Sequence, residues 1–157
     1  MSFEDNEIQL ACFEVNGNTY AIEVSQIREI VRWIKPTPLP KAPALIEGVV
    51  DLRDALIPIV DLGRALGGEV AKEIETSRIV IVDVDDMVIG LRVDSATEVM
   101  VTSVQSLETA PALATHAGYD TIRGAIRRPG ESPVMVLSLE DILETVFRSA
   151  ILDHDRD

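Results

Sequence analysis

The sequence predicts a mainly β protein in which two small β-barrels pack together as one domain, with short helices and a longer C-terminal helix. Three observations support this prediction. Val and Ile are frequent while aromatic residues make up only 4%, and β-branched side chains favour strands. Short apolar runs alternate with turn signals. The chain also repeats itself. Its 157 residues, 46% of them apolar, suffice for one well-buried domain.

Two β-hairpins are the clearest local elements. The first surrounds Asn16-Gly17, and Asn-Gly between two apolar runs is the strongest short-range hairpin signal. The second surrounds Asp85-Asp86. The strands that we predict in these hairpins cover residues 11–15, 20–24, 78–84 and 87–93. Further strands are predicted at residues 48–52, 56–60, 122–126 and 134–137.

Two helices complete the predicted elements. A helical face near the C-terminus is formed by Leu139, Ile142, Leu143, Val146 and Phe147, which recur at helical spacing. Ser138 precedes this face and is predicted to be its N-cap. A shorter helix is predicted over residues 62–66, ending at Gly67-Gly68.

An internal repeat sets the architecture. With a shift of 69 residues the two hairpins superimpose without a gap, and Glu29-Ile30 falls on Glu98-Val99. Gly48 resembles Gly124 at a shift of 76, and a strand followed by a helix repeats at 77. Each half therefore supplies about five short strands, and closing each set into a barrel removes its exposed edges. We expect three cores: two barrel interiors and a seam between them.

Charge and composition exclude several classes of partner. The formal net charge is -13, whereas nucleic acids and anionic membranes require a basic surface. The single cysteine, Cys12, has no partner for a disulfide. The opening residues do not resemble a signal peptide, and the apolar run at 55–60 is too short to span a bilayer. We therefore expect a cytoplasmic protein that neither binds nucleic acid nor inserts into the membrane.

The sequence offers no catalytic or metal-binding constellation. His116 and His154 stand without a nucleophile motif, and Cys12 is expected to be a buried, inert thiol. The acidic group Asp83, Asp85 and Asp86 is explained by turn chemistry. No phosphate-binding loop, dinucleotide fingerprint or zinc spacing is present. We predict that the protein is not an enzyme and needs no cofactor or metal.

Arg53 lies at the polar connection between two apolar strands, and two interpretations are open. It forms a local ion pair with Asp51, Asp54 or Asp61, or it is a positive anchor for a protein partner, since Arg is enriched at interface hot spots. Pro58, inside the second of these strands, indicates an edge strand or a bulge. Backbone groups near it would then be available to another β-structure.

An ordered series of short motifs over residues 8–146 resembles the CheW family of chemotaxis coupling proteins. The motifs include Ile27-Arg28-Glu29-Ile30, Leu39-Pro40, Gly48-Val49-Val50-Asp51-Leu52-Arg53, Ile57-Pro58-Ile59-Val60-Asp61-Leu62 and Val93-Asp94. The resemblance implies two five-stranded SH3-like barrels, intertwined in one domain over residues 8–147. Residues 1–7 and 150–157 are expected to be flexible termini.

The resemblance implies a non-catalytic scaffold that couples the cytoplasmic tip of a methyl-accepting chemoreceptor to the regulatory domain of a CheA-type histidine kinase. The kinase-binding residues carried over by motif are Ile46, Glu47, Gly48 and Arg53. The expected receptor-binding groove contains Val24, Ile27, Ile30 and Val99, for which ordinary core packing is an equally open interpretation.

Two questions stay open at this stage. Asp54, Gly63 and Ser138 depart from the family's usual residues, so the chain could serve flagellar chemotaxis or another chemosensory pathway. The alternative from another functional class is a regulatory sensor that binds a small ligand in a cleft between the two barrels.

Overall fold

The computed structural model describes residues 6–69, 72–109 and 121–155, and the chain there is built mainly from strands. The strands are β1 (Glu7–Val15), β2 (Asn18–Glu23), β3 (Ile27–Arg32), β4 (Ile46–Leu52), β5 (Ala55–Asp61), β6 (Arg78–Val84), β7 (Met87–Val93), β8 (Ser95–Ser103), β9 (Leu107–Glu108), β10 (Ile122–Arg128) and β11 (Glu131–Leu137). The helices are α1 (Leu62–Ala65) and α2 (Leu139–Asp155). His116, and the side chains of Phe147 and His154, lie outside the described part. The mainly β fold class is confirmed.

The strands form two sheets that curl into small barrels. One sheet has the order β3-β6-β7-β5-β4, and the other has the order β8-β1-β2-β11-β10-β9. We call them the inner barrel (β3–β7) and the outer barrel (β1, β2 and β8–β11), because residues 27–93 of the first are inserted in chain order between the parts of the second. The expectation that each half of the repeat closes its own barrel is wrong: β2 pairs in parallel with β11, and β7 with β5.

The internal repeat is confirmed by the strand order. The series β3, β6, β7, β5, β4 matches β8, β1, β2, β11, β10 position by position. The outer sheet has a sixth strand, the two-residue β9, beyond the five that were predicted. Its counterpart in the inner barrel is a single bridge between Thr37 and Val49. The two barrels therefore share one design and differ at this edge.

Three hydrophobic cores lie in the part of the chain that the structure describes, as the sequence predicts. The inner barrel encloses Val50, Ile57, Ile59, Ile79 and Ile81. The outer barrel encloses Leu10, Cys12, Ala21, Ile126, Val134 and Val136. The largest cluster lies in the seam between the barrels and under the helices, and includes Phe13, Ile22, Leu62, Leu91, Leu139 and Ile142. Along β1 and β6, alternate residues face a barrel interior and the seam, as the period of a strand requires.

Two glycines mark the points where the chain crosses a barrel edge closely. A Cβ on Gly48 would lie 2.3 Å from the carbonyl oxygen of Thr37, and one on Gly124 would lie 2.4 Å from that of Glu108. Gly48 also has a φ of +152°, which disfavours other residues. The repeated glycine is therefore required by packing against the crossing backbone.

The N-caps of the two helices follow the repeat. The side chain of Asp61 accepts a hydrogen bond from the backbone N–H of Arg64 in α1. Ser138 accepts one from the N–H of Asp141 in α2, which confirms its predicted capping role. Ser138 thus replaces a capping carboxylate with a capping hydroxyl, and this departure from the family pattern preserves the helix start.

Pro58 lies in β5, between β4 and β7, and so not in an edge strand. The residue opposite Pro58 on β4 is Val49. The N–H and C=O of Val49 both bond to Thr37 and so point away from β5. Pairing with β7 begins only at Ile59. Pro58 is tolerated because no ladder bond needs its missing N–H.

The ends of the described chain extend past the predicted domain boundaries. β1 begins at Glu7, and the backbone of α2 continues to Asp155. The flexibility assigned to residues 1–7 and 150–157 stays a prediction. No helix in the described residues is long and apolar enough to cross a membrane.

Candidate partner-binding site

Arg53 stands at the tip of the turn between β4 and β5. Arg53 and Asp54 have φ values of 51° and 63°, the positive values that tight two-residue hairpin turns require. Asp tolerates this conformation better than most residues, so Asp54 is compatible with the tight turn. The turn is therefore kept despite the departure.

The partner of Arg53 is Glu29, on β3. The guanidinium donates from Nε and Nη2 to the two carboxylate oxygens of Glu29, at 2.6 and 2.9 Å. The predicted partners Asp51, Asp54 and Asp61 were wrong, because Arg53 bonds to Glu29. Asp61 instead caps α1. Since β3 and β4 are opposite edges of the inner sheet, the Arg53–Glu29 pair links those edges and closes the barrel.

The Arg53–Glu29 pair is exposed and leaves the guanidinium accessible. The Arg53 side chain is 74% exposed. Its hydrogen bonds lower the pKa of Glu29 and raise that of Arg53. A bidentate pair fixes the direction of the guanidinium, so Arg53 presents an oriented positive charge at the barrel surface. Leu56, 71% exposed in β5, provides an apolar neighbour along the same hairpin.

Glu47 is turned inward and pairs with Arg92. Its Oε1 lies 2.6 Å from Nη1 of Arg92, and the two side chains are 21% and 7% exposed. The guanidinium carbon of Arg92 lies 4.1 Å from the ring centroid of Trp33, a favourable cation–π distance. These three residues, which we call the Trp33–Arg92–Glu47 triad, form at the end of the inner barrel opposite to Arg53.

Opposing influences act on the Glu47 carboxyl. Burial raises its pKa, the positive charge of Arg92 lowers it, and the nearby carboxylate of Asp61 raises it again. Burial is the largest of these causes, so the pKa of Glu47 is raised despite the short ion pair. Oε2 of Glu47, Nε of Arg92 and Nε1 of Trp33 are buried without a hydrogen-bond partner, which agrees with a costly, desolvated cluster.

The two other predicted kinase-binding residues have clear packing roles. Ile46 is half-buried against the seam core, and Gly48 is held against Thr37. All four predicted residues lie on β4 or on the turn that follows it, and Arg53 is the one whose side chain is prominently exposed. Their role in binding a partner stays a prediction.

The predicted groove residues divide between packed and exposed positions. Val24 and Ile27 are half-buried, and Ile27 packs against the seam core. Val24 also lines a depression of about 550 Å³ with Ile8 and Glu23. Ile30 and Val99 are 41% and 63% exposed, at equivalent positions of the edge strands β3 and β8. Packing against the seam core therefore holds for Ile27, and the receptor-binding role of the four residues stays a prediction.

The sequence prediction missed further exposed apolar residues beside Val99. Val101 and Val104 are 58% and 43% exposed, in β8 and in the single turn that follows it. The spacing of Val99 and Val101 by two places them on one face of the strand. This β8 stripe (Val99, Val101 and Val104) is an apolar surface of the kind that marks interaction sites.

A polar cleft of about 630 Å³ lies where α1 meets the hairpin tips of the outer barrel. Its lining includes Asn16, whose amide donates a hydrogen bond to the carbonyl of Glu69. A Cβ at Gly63 or Gly68 would lie 3.0 or 2.4 Å from that amide nitrogen. Gly63, a departure from the family pattern, thus makes room for the Asn16 side chain.

The described residues contain no group of three His, Cys, Asp or Glu side chains placed to hold a metal ion. Cys12 is buried in the outer barrel, and burial raises the pKa of its thiol. A protonated, inaccessible thiol is a poor nucleophile.

Known proteins resemble this chain over most of its length. The sequence model of the CheW-like domain family matches residues 9–147. The chain is 29% identical over 142 residues to a chemotaxis protein CheW of Rhizobium meliloti, covering 90% of this chain and 91% of the relative. It is 28% identical over 149 residues to the CheW of Treponema pallidum, covering 92% and 87%.

A solved structure agrees with the fold. The crystal structure of the scaffolding protein TtCheW from Thermoanaerobacter tengcongensis superimposes with a TM-score of 0.76 at 25% identity, covering 84% of each chain. Two SH3-like barrels, the repeated strand order and the matched motifs thus point to one conclusion: the chain belongs to the CheW-like domain family.

Proposed function

We propose that this protein is a chemotaxis scaffold that couples the cytoplasmic tip of a chemoreceptor to the regulatory domain of a CheA-type histidine kinase. The observation that carries the proposal is the family match across residues 9–147. Relatives named as chemotaxis proteins and a solved scaffolding protein support it. The proposal places the protein in the cytoplasm, at receptor arrays, with no catalytic step of its own.

The kinase surface is proposed at the hairpin tip of the inner barrel. Arg53 supplies an exposed charge with a direction fixed by Glu29, and Leu56 supplies exposed apolar area. Preorganised charge and apolar surface together suit a protein contact. Ile46 and Gly48 support this surface through the packing of β4.

The receptor surface is proposed along the edge strands. Ile30 is exposed on the edge strand of the inner barrel and Val99 on that of the outer barrel, and the β8 stripe adds apolar area beside Val99. An amphipathic receptor helix can place its apolar face on such a surface. Val24 and Ile27 lie at its half-buried margin.

Titration calorimetry with each partner tests the proposal. Arg53→Ala is expected to weaken binding of the kinase regulatory domain about tenfold, as loss of an arginine hot spot does, and to leave receptor binding unchanged. Arg127→Ala is the matched control, because Arg127 is also exposed and paired, with Glu108 at 2.7 Å, but lies on the outer barrel. Equal affinity of Arg53→Ala and wild type would remove Arg53 from the kinase surface.

Val99→Asp is expected to weaken binding of a receptor signalling fragment and to spare the kinase. Ile74→Asp is its control, since Ile74 is 48% exposed and lies in the loop before β6, outside the predicted groove and the β8 stripe. Failure of the wild type to bind either partner at tens of micromolar would overturn the function itself.

The polar cleft favours a second candidate, the small-ligand sensor. Its volume of about 630 Å³ falls in the range of ligand sites, although such sites are usually more apolar. A thermal-shift screen of metabolites without any protein partner tests this function. A ligand-dependent rise in Tm that Asn16→Ala abolishes would support it.

A further inference from the structure

The Trp33–Arg92–Glu47 triad joins parts of the inner barrel that are distant in sequence. Glu47 lies on β4 and Arg92 on β7, with β5 between them, and Trp33 directly follows β3. The triad therefore ties one edge of the sheet to the other through the middle strands. Because β4 then runs on to Arg53, the triad fixes the start of the strand whose far end carries the proposed kinase surface.

The carboxylate of Glu47 is engaged inside the molecule. One oxygen lies 2.6 Å from Arg92, and the other is buried. A contact with a partner would have to break this pair and leave Arg92, 7% exposed, as an uncompensated buried charge, which is strongly unfavourable. Direct contact is thus a poor account of Glu47.

The outer barrel has a charged pair at the positions equivalent to Glu47 and Arg92. The repeat places Glu23 at the position of Arg92 and Arg123 at the position of Glu47. These two residues also pair, at 3.5 Å, with the charges exchanged. The fold therefore accepts either polarity, and what both barrels keep is the bridge between two strands.

We propose that Glu47 is a positioning residue for kinase binding, acting through Arg92 and Trp33 and not by touching the kinase. The proposal rests on the proposed function and deepens it. It assigns Arg92 and Trp33 to the same role, although neither belongs to the motif residues predicted to bind. Their shared effect is to hold β4, and with it Arg53, in the orientation that the partner meets.

The test compares single variants with a charge exchange. Glu47→Gln and Arg92→Gln are each expected to weaken binding of the kinase regulatory domain several-fold, while receptor binding stays unchanged. The double variant Glu47→Arg/Arg92→Glu, with the polarity of the outer barrel, is expected to recover most of the lost affinity. If Glu47 touches the kinase, the exchange instead binds worse than Glu47→Gln, because the charge at the contact is reversed.

A spectroscopic signal provides an independent measurement. Trp33 is the single tryptophan of the chain, and Arg92 lies over its ring. Glu47→Gln is therefore expected to shift the Trp33 emission in the unbound protein, which a residue that only touches a partner would not do. Unchanged emission together with lost affinity would overturn the proposal.

Two further outcomes separate this proposal from the function on which it rests. A wild type that binds no kinase domain contradicts the proposed function, whereas a binding-competent wild type matched by Arg92→Gln contradicts the positioning role alone. Arg92→Gln also covers the case in which the double variant does not fold, because a normal affinity in that folded single variant overturns the proposal by itself. Circular dichroism establishes which variants are folded.

Discussion

The inner and outer barrels have the same strand arrangement but form their equivalent charged pairs with different side chains. Each barrel has a charged pair between equivalent strands. The Glu47–Arg92 pair of the inner barrel is buried and covered by Trp33. The Glu23–Arg123 pair of the outer barrel is half-exposed, and Thr102 stands at the position of Trp33. Each also joins an edge-strand glutamate to an arginine near a hairpin tip. The distance is 2.6 Å for Glu29–Arg53 and 3.8 Å for Glu98–Arg128. The repeat therefore preserves backbone geometry more strictly than side-chain chemistry.

Gly48 and Gly124 are the equivalent positions at which the repeated backbone leaves no room for a side chain. Gly48→Ala is expected to lower the free energy of unfolding by about 3 kcal/mol, because the new Cβ meets the Thr37 backbone and the φ is unfavourable. Gly124→Ala is expected to cost about 2 kcal/mol, from the contact alone. Urea unfolding measures both. Gly130→Ala is the control for the contact, because Gly130 has a positive φ of +74° but open space around it; equal values for all three variants would contradict the role of the backbone contact.

The buried Glu47–Arg92 pair and the half-exposed Glu23–Arg123 pair are expected to differ in the stability that is lost when the arginine is removed. Arg92→Met is expected to cost about 3 kcal/mol at neutral pH, because it leaves Glu47 uncompensated inside the barrel. Arg123→Met removes the equivalent pair from the outer barrel and is expected to cost less than about 1 kcal/mol. Urea unfolding of the two variants is again the measurement. Equal losses would show that burial does not distinguish the pairs.

The closing pair of the inner barrel gives the smallest effect, visible mainly through pH. Arg53 holds the pKa of Glu29 below its ordinary value of 4.5, so the pair's stabilisation is present above that pH and is lost as the pH falls through the lowered pKa. Arg53→Met is expected to reduce the fall in Tm between neutral and acidic pH. In a Glu29→Gln background the same substitution should change nothing further, and an equal effect there would refute the pair as the cause.

Sequence reasoning predicted the elements with strong local signals. Alternating apolar residues and turns located both hairpins and β4, β5, β10 and β11. It missed β3 and β8, because these edge strands contain no fully buried residue and their apolar residues do not alternate with polar ones along the sequence. It also divided the chain at the repeat, since no local signal shows that β2 pairs with β11.

The site residues show the same limit. The turn position identified Arg53, but its partner Glu29 is 24 residues away, on the opposite edge of the sheet. Glu47 and Arg92 are 45 residues apart, and their pairing depends on β5 lying between their strands. A charged residue inside the apolar run of β7 was the one available signal, and it indicates a buried partner without naming it.

The nesting of the barrels has a consequence for how the chain is made. A ribosome delivers residues from the N-terminus, so every strand of the inner barrel is available once Val93 has emerged. The β1–β2 hairpin emerges before the inner barrel, yet it must wait for Leu137 before β11 can cover its edge. This hairpin is thus synthesised before the inner barrel but enclosed after it, so its apolar strands stay partly uncovered while the inner barrel is made.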